Sequence, residues 1–279
     1  MTYRELVRQA ADVSDRERLL LGITGWSFGA FLLHEDEEAD PGTQAVFTEG
    51  IERLRAHEPL QYILREAPFY GRSFYVDSRV LIPRFDTEIL LEEALRESDK
   101  AMREGRNRLS VLDLCTGSGC IAITLQLERP GLLVTASDLS EDALEVARTN
   151  AGRLLGNTET VRFVQSDLFE HVNGTFDLIV TNPPYIRTED ISALDPEVRE
   201  HEPVLALDGG TDGLDFVRKI ASRAAAFLSE SGRILMEIGD EEGEDALRVF
   251  RKEGFEDTMI RKDLSGRDRV LGARKGRNG

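Results

Sequence analysis

Asn182-Pro183-Pro184-Tyr185 places an amide, two prolines and a phenol directly after an apolar run, Phe176 to Thr181. The run predicts a buried strand. The prolines stop its ladder, because proline has no N–H to donate and drives the preceding residue into an extended conformation. Asn182 is thereby held at a strand's carboxyl end, where open α/β sheets bind ligands. The Asn182 side-chain oxygen, the Pro183 carbonyl, and Pro184 and Tyr185 beside them form a set that can grip a planar –NH2 group by both hydrogens.

A second stretch, Asp113-Leu114-Cys115-Thr116-Gly117-Ser118-Gly119-Cys120, closes a strand predicted over 109–114 and leads into a helix. Its glycines allow a tight turn and close approach of backbone to ligand, so residues 115–119 are candidate cofactor contacts. No full G-x-G-x-x-G is present and no Lys-Ser/Thr follows, which disfavours a phosphate-gripping loop. Asp113 would repel a pyrophosphate and attract a cation such as an amino acid's ammonium group. The next strand ends at Asp138, 19 residues after Gly119, where an acidic residue binds ribose hydroxyls in nucleoside-binding folds. Asp138 or Ser140 can equally cap the following helix. A third strand ends in Ser166-Asp167-Leu168-Phe169, with Asp167 able to accept from an adenine amine and Leu168 or Phe169 able to pack on its ring. A cofactor with an ammonium group, a ribose and an adenine but no phosphate fits this set. S-adenosylmethionine is that molecule.

Asp113 through Gly119, Asp138 and Asp167 resemble the cofactor signature of class I methyltransferases, and Asn182–Tyr185 resembles the motif of members that methylate planar nitrogens. Three further stretches narrow the resemblance. Pro59-Leu60-Gln61-Tyr62-Ile63, Leu81 to Glu88, and Asp263 to Arg269 are similar to the release factor glutamine N5-methyltransferases of the HemK/PrmC type. The similarity covers nearly the whole chain. It implies methyl transfer to the side-chain nitrogen of the glutamine in a Gly-Gly-Gln motif of peptide chain release factors. It also implies Asn182, Pro183 and Tyr185 as catalytic residues and Arg84 as a substrate contact, although Arg84 can instead pair with Asp86 or Glu88. Glu88, Glu200, Pro203 and Glu237 are lesser candidates. Cys115 stands where many methyltransferases have their first glycine, so an ordinary backbone conformation is expected there. Two alternatives share the motif: an amino-methyltransferase of nucleic acid, and a glutamine methyltransferase of a ribosomal protein.

These residues need a doubly wound, mostly parallel, seven-stranded Rossmann-like α/β sheet to bring them to one edge. Strands are predicted near 109–114, 132–137, 160–165, 176–181, 232–238, 255–262 and 268–274, and helices near 119–128, 140–155, 213–228 and 241–253. The turn at Leu264–Arg267 predicts an antiparallel edge strand. Residues 83–279 form this catalytic domain, opened by a helix from Ile89 capped by Asp86 or Thr87. Residues 67–82 read as a β-hairpin linker, and residues 1–66 as a helical domain for docking the protein substrate. In that domain Ser14 and Glu17 predict a capping box, and Thr43 starts a later helix. Arg106-Asn107 reads as a polar linker, and Arg274–Gly279 as a frayed tail.

Composition excludes other classes. The net charge of −17 argues against direct binding of nucleic acid. No apolar stretch is long enough for a membrane span, and the N-terminus lacks a signal-peptide pattern, so a cytoplasmic monomer is expected. Cys115 and Cys120 have no Cys/His cluster to complete a metal site, and no metal is expected. His34, His57, His171 and His201 are scattered, with none placed as a general base. Arginine outnumbers lysine 30 to 5, a bias that suits a salt-rich cytoplasm.

Overall fold

The computed structural model describes residues 1–106 and 108–276, so Asn107 of the expected linker and residues 277–279 of the expected tail lie outside the described residues. The chain divides into two compact units, Met1–Glu66 with Leu194–Glu202, and Ala67–Ala193 with Pro203 onward.

The first unit contains α1 (Tyr3–Gln9), α2 (Arg16–Thr24), α3 (Phe28–His34), α4 (Pro41–Arg55) and α5 (Leu60–Leu64). Tyr3, Leu6, Val7, Leu19, Leu20, Phe31, Phe47, Ile51 and Leu60 bury their side chains together as its core. The capping box sits one helix earlier than expected. Thr2 accepts from the Glu5 amide and Glu5 reaches back to the Thr2 amide, whereas α2 begins after Asp15 with no side-chain cap bond. Asp40, not Thr43, caps α4: its carboxylate accepts from the Thr43 amide, and Pro41 takes the first helical position, where a missing N–H costs nothing.

The second unit opens with β1 (Ala67–Phe69) and β2 (Arg72–Phe74), an antiparallel pair that is shorter than the expected hairpin. Phe69 and Phe74 are fully buried in the core of this unit, edge-to-face at 6.0 Å. After α6 (Thr87–Arg103) come β3 (Ser110–Leu114), α7 (Cys120–Glu128), β4 (Leu133–Asp138), α8 (Glu141–Leu155), β5 (Arg162–Gln165) and β6 (Phe176–Thr181). The short α9 (Pro196–His201) belongs to the first unit, where His201 Nε2 lies 3.0 Å from the Ala56 carbonyl oxygen. Then follow α10 (Asp215–Phe227), β7 (Leu228–Glu237), α11 (Gly243–Lys252), β8 (Glu256–Lys262) and β9 (Asp268–Arg274).

The seven-stranded sheet has the order β5-β4-β3-β6-β7-β9-β8, parallel from β5 to β7. The antiparallel strand is not at the edge: β9 inserts between β7 and β8 and runs against both. Burial explains the choice. Val270-Leu271-Gly272-Ala273 is apolar enough for an interior position, while β8 carries charge along its length and takes the edge. Arg274 is not frayed but ends β9, paired to Asp257 at 2.8 Å. Arg106 likewise is anchored, 3.1 Å from Asp177. Among the described residues no helix is long and apolar enough to cross a membrane.

Candidate active site

The carboxyl ends of β4, β3 and β6 open onto one cleft, with β5 following at the same edge. Its lining includes Cys115–Ser118, Asp138, Asp167, Leu168, Asn182, Pro184, Arg84 and Thr87. Parallel strands with right-handed helical crossovers leave such a crevice where the order reverses, here between β3 and β6.

Asp113 ends up beneath the loop rather than in the cleft wall. It is fully buried, and its Oδ2 accepts from Thr116 Oγ1 at 2.6 Å and from the Ala122 amide at 3.0 Å. Its Oδ1 is buried with no hydrogen-bond partner among the described residues. Burial pushes its carboxyl up to about 7, with the Asp138 charge adding to the rise. Asp138 ties the first two loops together: Oδ2 accepts from the Gly117 amide at 2.8 Å and Oδ1 from the Ser140 amide at 3.0 Å. Ser140 caps α8 through the Ala143 amide. The carboxylate that lines the cleft also sets the turn before the helix, whose cap is Ser140.

Cys115 corrects an expectation. Its φ is +62°, left-handed, so this position has the conformation a glycine would supply freely, at a cost on the order of 1 kcal/mol. Burial pushes its thiol far up, and that of Cys120 up to about 12, so both stay protonated near neutral pH. Gly119 is also left-handed, and a Cβ there would lie 3.0 Å from Ala147 Cβ on α8 and from Ile123 Cδ1. Its role is the close packing of α7 on α8, and it does not line the cleft.

Asp167 is exposed at the cleft, and Leu168, with φ +48°, turns its side chain into the lining. Phe169 goes the other way. It is 1% exposed and stacks on Phe227 with ring centroids 4.6 Å apart, which removes it from any cofactor.

At the end of β6, Asn182 Nδ2 donates to Thr87 Oγ1 at 3.2 Å. Pro184 lines the cleft, whereas Pro183 is buried and its ring does not. Tyr185 points to the far side: its hydroxyl donates to Glu237 Oε1 at 3.3 Å, and its ring lines a separate hollow with Arg187, Glu242 and Arg269. Burial and then the Glu237 charge push its phenol up. Glu237, 1% exposed, has its own carboxyl pushed up to about 7 by burial, against the pull of Thr87, Arg269 and Tyr185. Asp86 pairs with Arg269 at 3.3 Å, and Glu88 accepts from the Tyr70 amide at 2.7 Å. Asp263 accepts from the Ser265 and Arg267 amides and pairs with Arg269, so the 263–269 turn is a braced ion-pair loop.

Other lining residues had no separate signal in the sequence. Leu139 directly follows Asp138 and is half exposed, an apolar residue at a turn that could have been noticed. Leu205, Ala206 and Phe216 come from segments with no motif. Asn150 was also missed. It is fully buried on α8, accepts from the Tyr75 amide at 2.7 Å, and donates to the carbonyls of Tyr75 and Ser118 at 2.9 Å each. None of the four histidines lines the cleft.

Two family profiles match the chain: "PrmC N-terminal domain" over residues 4–64 and "Methyltransferase small domain" over residues 86–199. The release factor glutamine methyltransferase of Geobacter sulfurreducens is 41% identical over 263 residues, spanning 94% of this chain and 89% of that one. The chain belongs to the release factor glutamine methyltransferase family. The family member of Streptococcus pneumoniae is 38% identical over 270 residues, covering 96% and 93% of the two chains. Among solved structures, a methyltransferase from Pyrococcus furiosus shares the fold with a TM-score of 0.55 at 20% identity, over 85% of this chain and all of that one.

The cleft of this family member fits S-adenosylmethionine. The Asp138 carboxylate at the cleft suits hydroxyls, Leu139 and Leu168 supply apolar wall, and the buried Asp113 carboxyl lies beneath the loop that lines it.

Proposed function

We infer that the protein methylates the side-chain amide nitrogen of the glutamine in the Gly-Gly-Gln motif of peptide chain release factors, in the cytoplasm. The observation that carries this reading is Asn182. Its amide nitrogen is taken by Thr87, which leaves its carbonyl oxygen for a donor in the cleft.

An amide nitrogen is a weak nucleophile because its lone pair is delocalised. When bound, S-adenosylmethionine supplies an electrophilic methyl group on a sulfonium centre. Asp113, Cys115–Gly119, Asp138, Asp167 and Leu168 are the proposed cofactor set, with Gly119 acting through the packing it permits. The Asn182 side-chain oxygen and the Pro183 carbonyl accept the two N–H bonds of the substrate glutamine, and Pro184 and Arg84 border its entry. Holding both hydrogens in the amide plane aims the out-of-plane density of the nitrogen across the cleft. The protein's contribution is orientation plus dipoles facing the positive charge that develops on that nitrogen. The acceptor proton becomes acidic only as the new bond forms, so a strong base is not required. Tyr185 acts from behind, through Glu237. The helical unit, which carries no such constellation, is assigned to docking the release factor.

Incubation with labelled S-adenosylmethionine, offering a release factor, its Gln→Ala variant, a ribosomal protein and mixed nucleic acids in parallel, tests the reading. Label is expected in the intact release factor alone; label only in nucleic acid or in the ribosomal protein would overturn it. Asn182→Ala is expected to cut turnover by about 100-fold or more while leaving donor affinity nearly intact. Equal loss of donor binding would move Asn182 to another role.

A further inference from the structure

We propose that the hollow beside Tyr185 takes a lysine or arginine side chain of the release factor, from a residue flanking the methylated glutamine, with Glu242 as its partner. The proposal rests on the reading of the protein as a methyltransferase of that glutamine.

The hollow lies at the same sheet edge as the cleft. Its walls are Tyr185–Arg187 and Asp190 after β6, Gly239–Glu242 after β7, and Arg269 near the start of β9. Because β9 runs against β7, its start meets the end of β7 at that edge. The volume is about 310 Å³, enough for one long side chain. Asn182 and Tyr185 are three residues apart, at most about 11 Å along an extended chain. A substrate whose glutamine reaches Asn182 thus has its neighbouring residues within reach of the hollow.

Glu242, directly before α11, is 7% exposed. Its Oε2 accepts from the Gly239 amide at 3.0 Å. Its Oε1 has no hydrogen-bond partner among the described residues, and it is not one of the unpartnered oxygens sealed from solvent. Two glycines seat the carboxylate. A Cβ on Gly213 would run into Oε1, and one on Gly239 would lie 2.9 Å from Cδ. A buried carboxylate with one open oxygen lacks the partner that its burial calls for.

The charges around it select the occupant. Arg187, Asp190, Asp240, Glu241, Glu242 and Arg269 line the hollow. Arg269 is already shared by Asp86 and Asp263, at 3.3 Å each, and Asp240 pairs with Arg267 at 3.0 Å. Asp190, Glu241 and Glu242 then face Arg187 alone. Arg187 favours the ionised form of Glu242 by its charge but forms no ion pair among the described residues. The balance is negative, so a cation is the complementary occupant. No carboxylate group among the described residues is suited to a metal ion. Tyr185 and Ile186 give the apolar stem of a lysine or arginine a wall to lie on.

Glu242→Gln keeps an oxygen for the Gly239 amide and removes the charge. With S-adenosylmethionine saturating, it is expected to raise KM for the release factor about tenfold or more, with kcat within about twofold and a parental melt. Changing one lysine or arginine of the release factor, within about five residues of the glutamine, to Gln is expected to raise KM similarly, and the two changes together should not add. Burial pushes the Glu242 carboxyl up to about 7, and a cation binds its ionised form. The other charges facing it are Arg187, Asp212 and Asp240, the last two paired with Arg218 and Arg267. In the parent KM should therefore fall as pH rises from about 6 to about 8, and Glu242→Gln should flatten that change. A folded Glu242→Gln protein with parental KM overturns the proposal. So does full additivity with every such substitution in the release factor, or a pH dependence of KM that Glu242→Gln leaves unchanged. If Glu242→Gln does not fold, Asp190→Lys combined with Glu241→Lys, both at exposed positions, is held to the same KM criterion. Failure of the functional reading looks different, because the parent itself would then leave the release factor unlabelled.

Discussion

At the scale of single residues, Asp113 shows how burial turns a carboxylate into a sensor of its own ligand. Its carboxyl is pushed up to about 7, so near neutral pH it is only partly ionised. A cation bound in the cleft above the loop favours the ionised form through its charge. Affinity for S-adenosylmethionine is therefore expected to rise with pH, by up to about tenfold between pH 6 and 8, and calorimetry at several pH values in Asp113→Asn should give a flatter curve. Stability moves the opposite way in the free protein. A carboxyl raised on folding contributes stability that is fully present below the unfolded value of 3.8 and is lost as pH rises through about 7. Cys115 and Phe169 mark where residue-level reading failed. A left-handed φ at a cysteine is set by the loop, not by the side chain. Likewise, of two adjacent apolar residues, only packing decides that Leu168 faces the cleft while Phe169 stacks on Phe227.

At the scale of elements, the cleft depends on contacts between segments far apart in sequence. Asn150 joins α8 to the strand end leaving the hairpin and to the glycine loop, bonding both polar groups of Tyr75 and the Ser118 carbonyl. Asn150→Ala would leave these buried groups unpaired. It is expected to destabilise the protein by about 2–4 kcal/mol in a denaturant titration, with weakened donor binding because the loop loses its brace. A loss below about 1 kcal/mol would mean that water replaces the amide. The β7-β9-β8 end carries the same lesson. The Asp263–Arg269 turn was legible as an ion-pair loop, but that Arg269 reaches Asp86 became visible only once β9 lay inside the sheet.

At the scale of the whole molecule, charge dominates. A net charge of −17 means that repulsion among carboxylates opposes the folded state. Many arginines answer it locally, as in Arg55 with Asp12 and Glu52, or Arg218 with Asp212, but exposed pairs of this kind contribute little each. Screening should relieve more repulsion than attraction. The melting temperature is expected to rise by a few degrees between about 20 mM and about 500 mM NaCl, followed by calorimetry; a fall would show that the ion pairs outweigh the net charge.

The sequence by itself determined the strand–helix alternation, the strand-end acidic residues, the Asn182–Tyr185 motif and hence the family, because each is a local pattern: a period, a turn, a run of types. It did not determine which of those residues face the cleft. Asp113, Gly119, Phe169, Pro183 and Tyr185 do not line it, and Thr87, known from the sequence only as a helix start, does. Orientation depends on what is packed behind each residue. The hydrogen bond on the Asn182 amide comes from a residue 95 positions away. Such choices are made by burial and by the order of strands in the sheet, which exist only once the chain has folded.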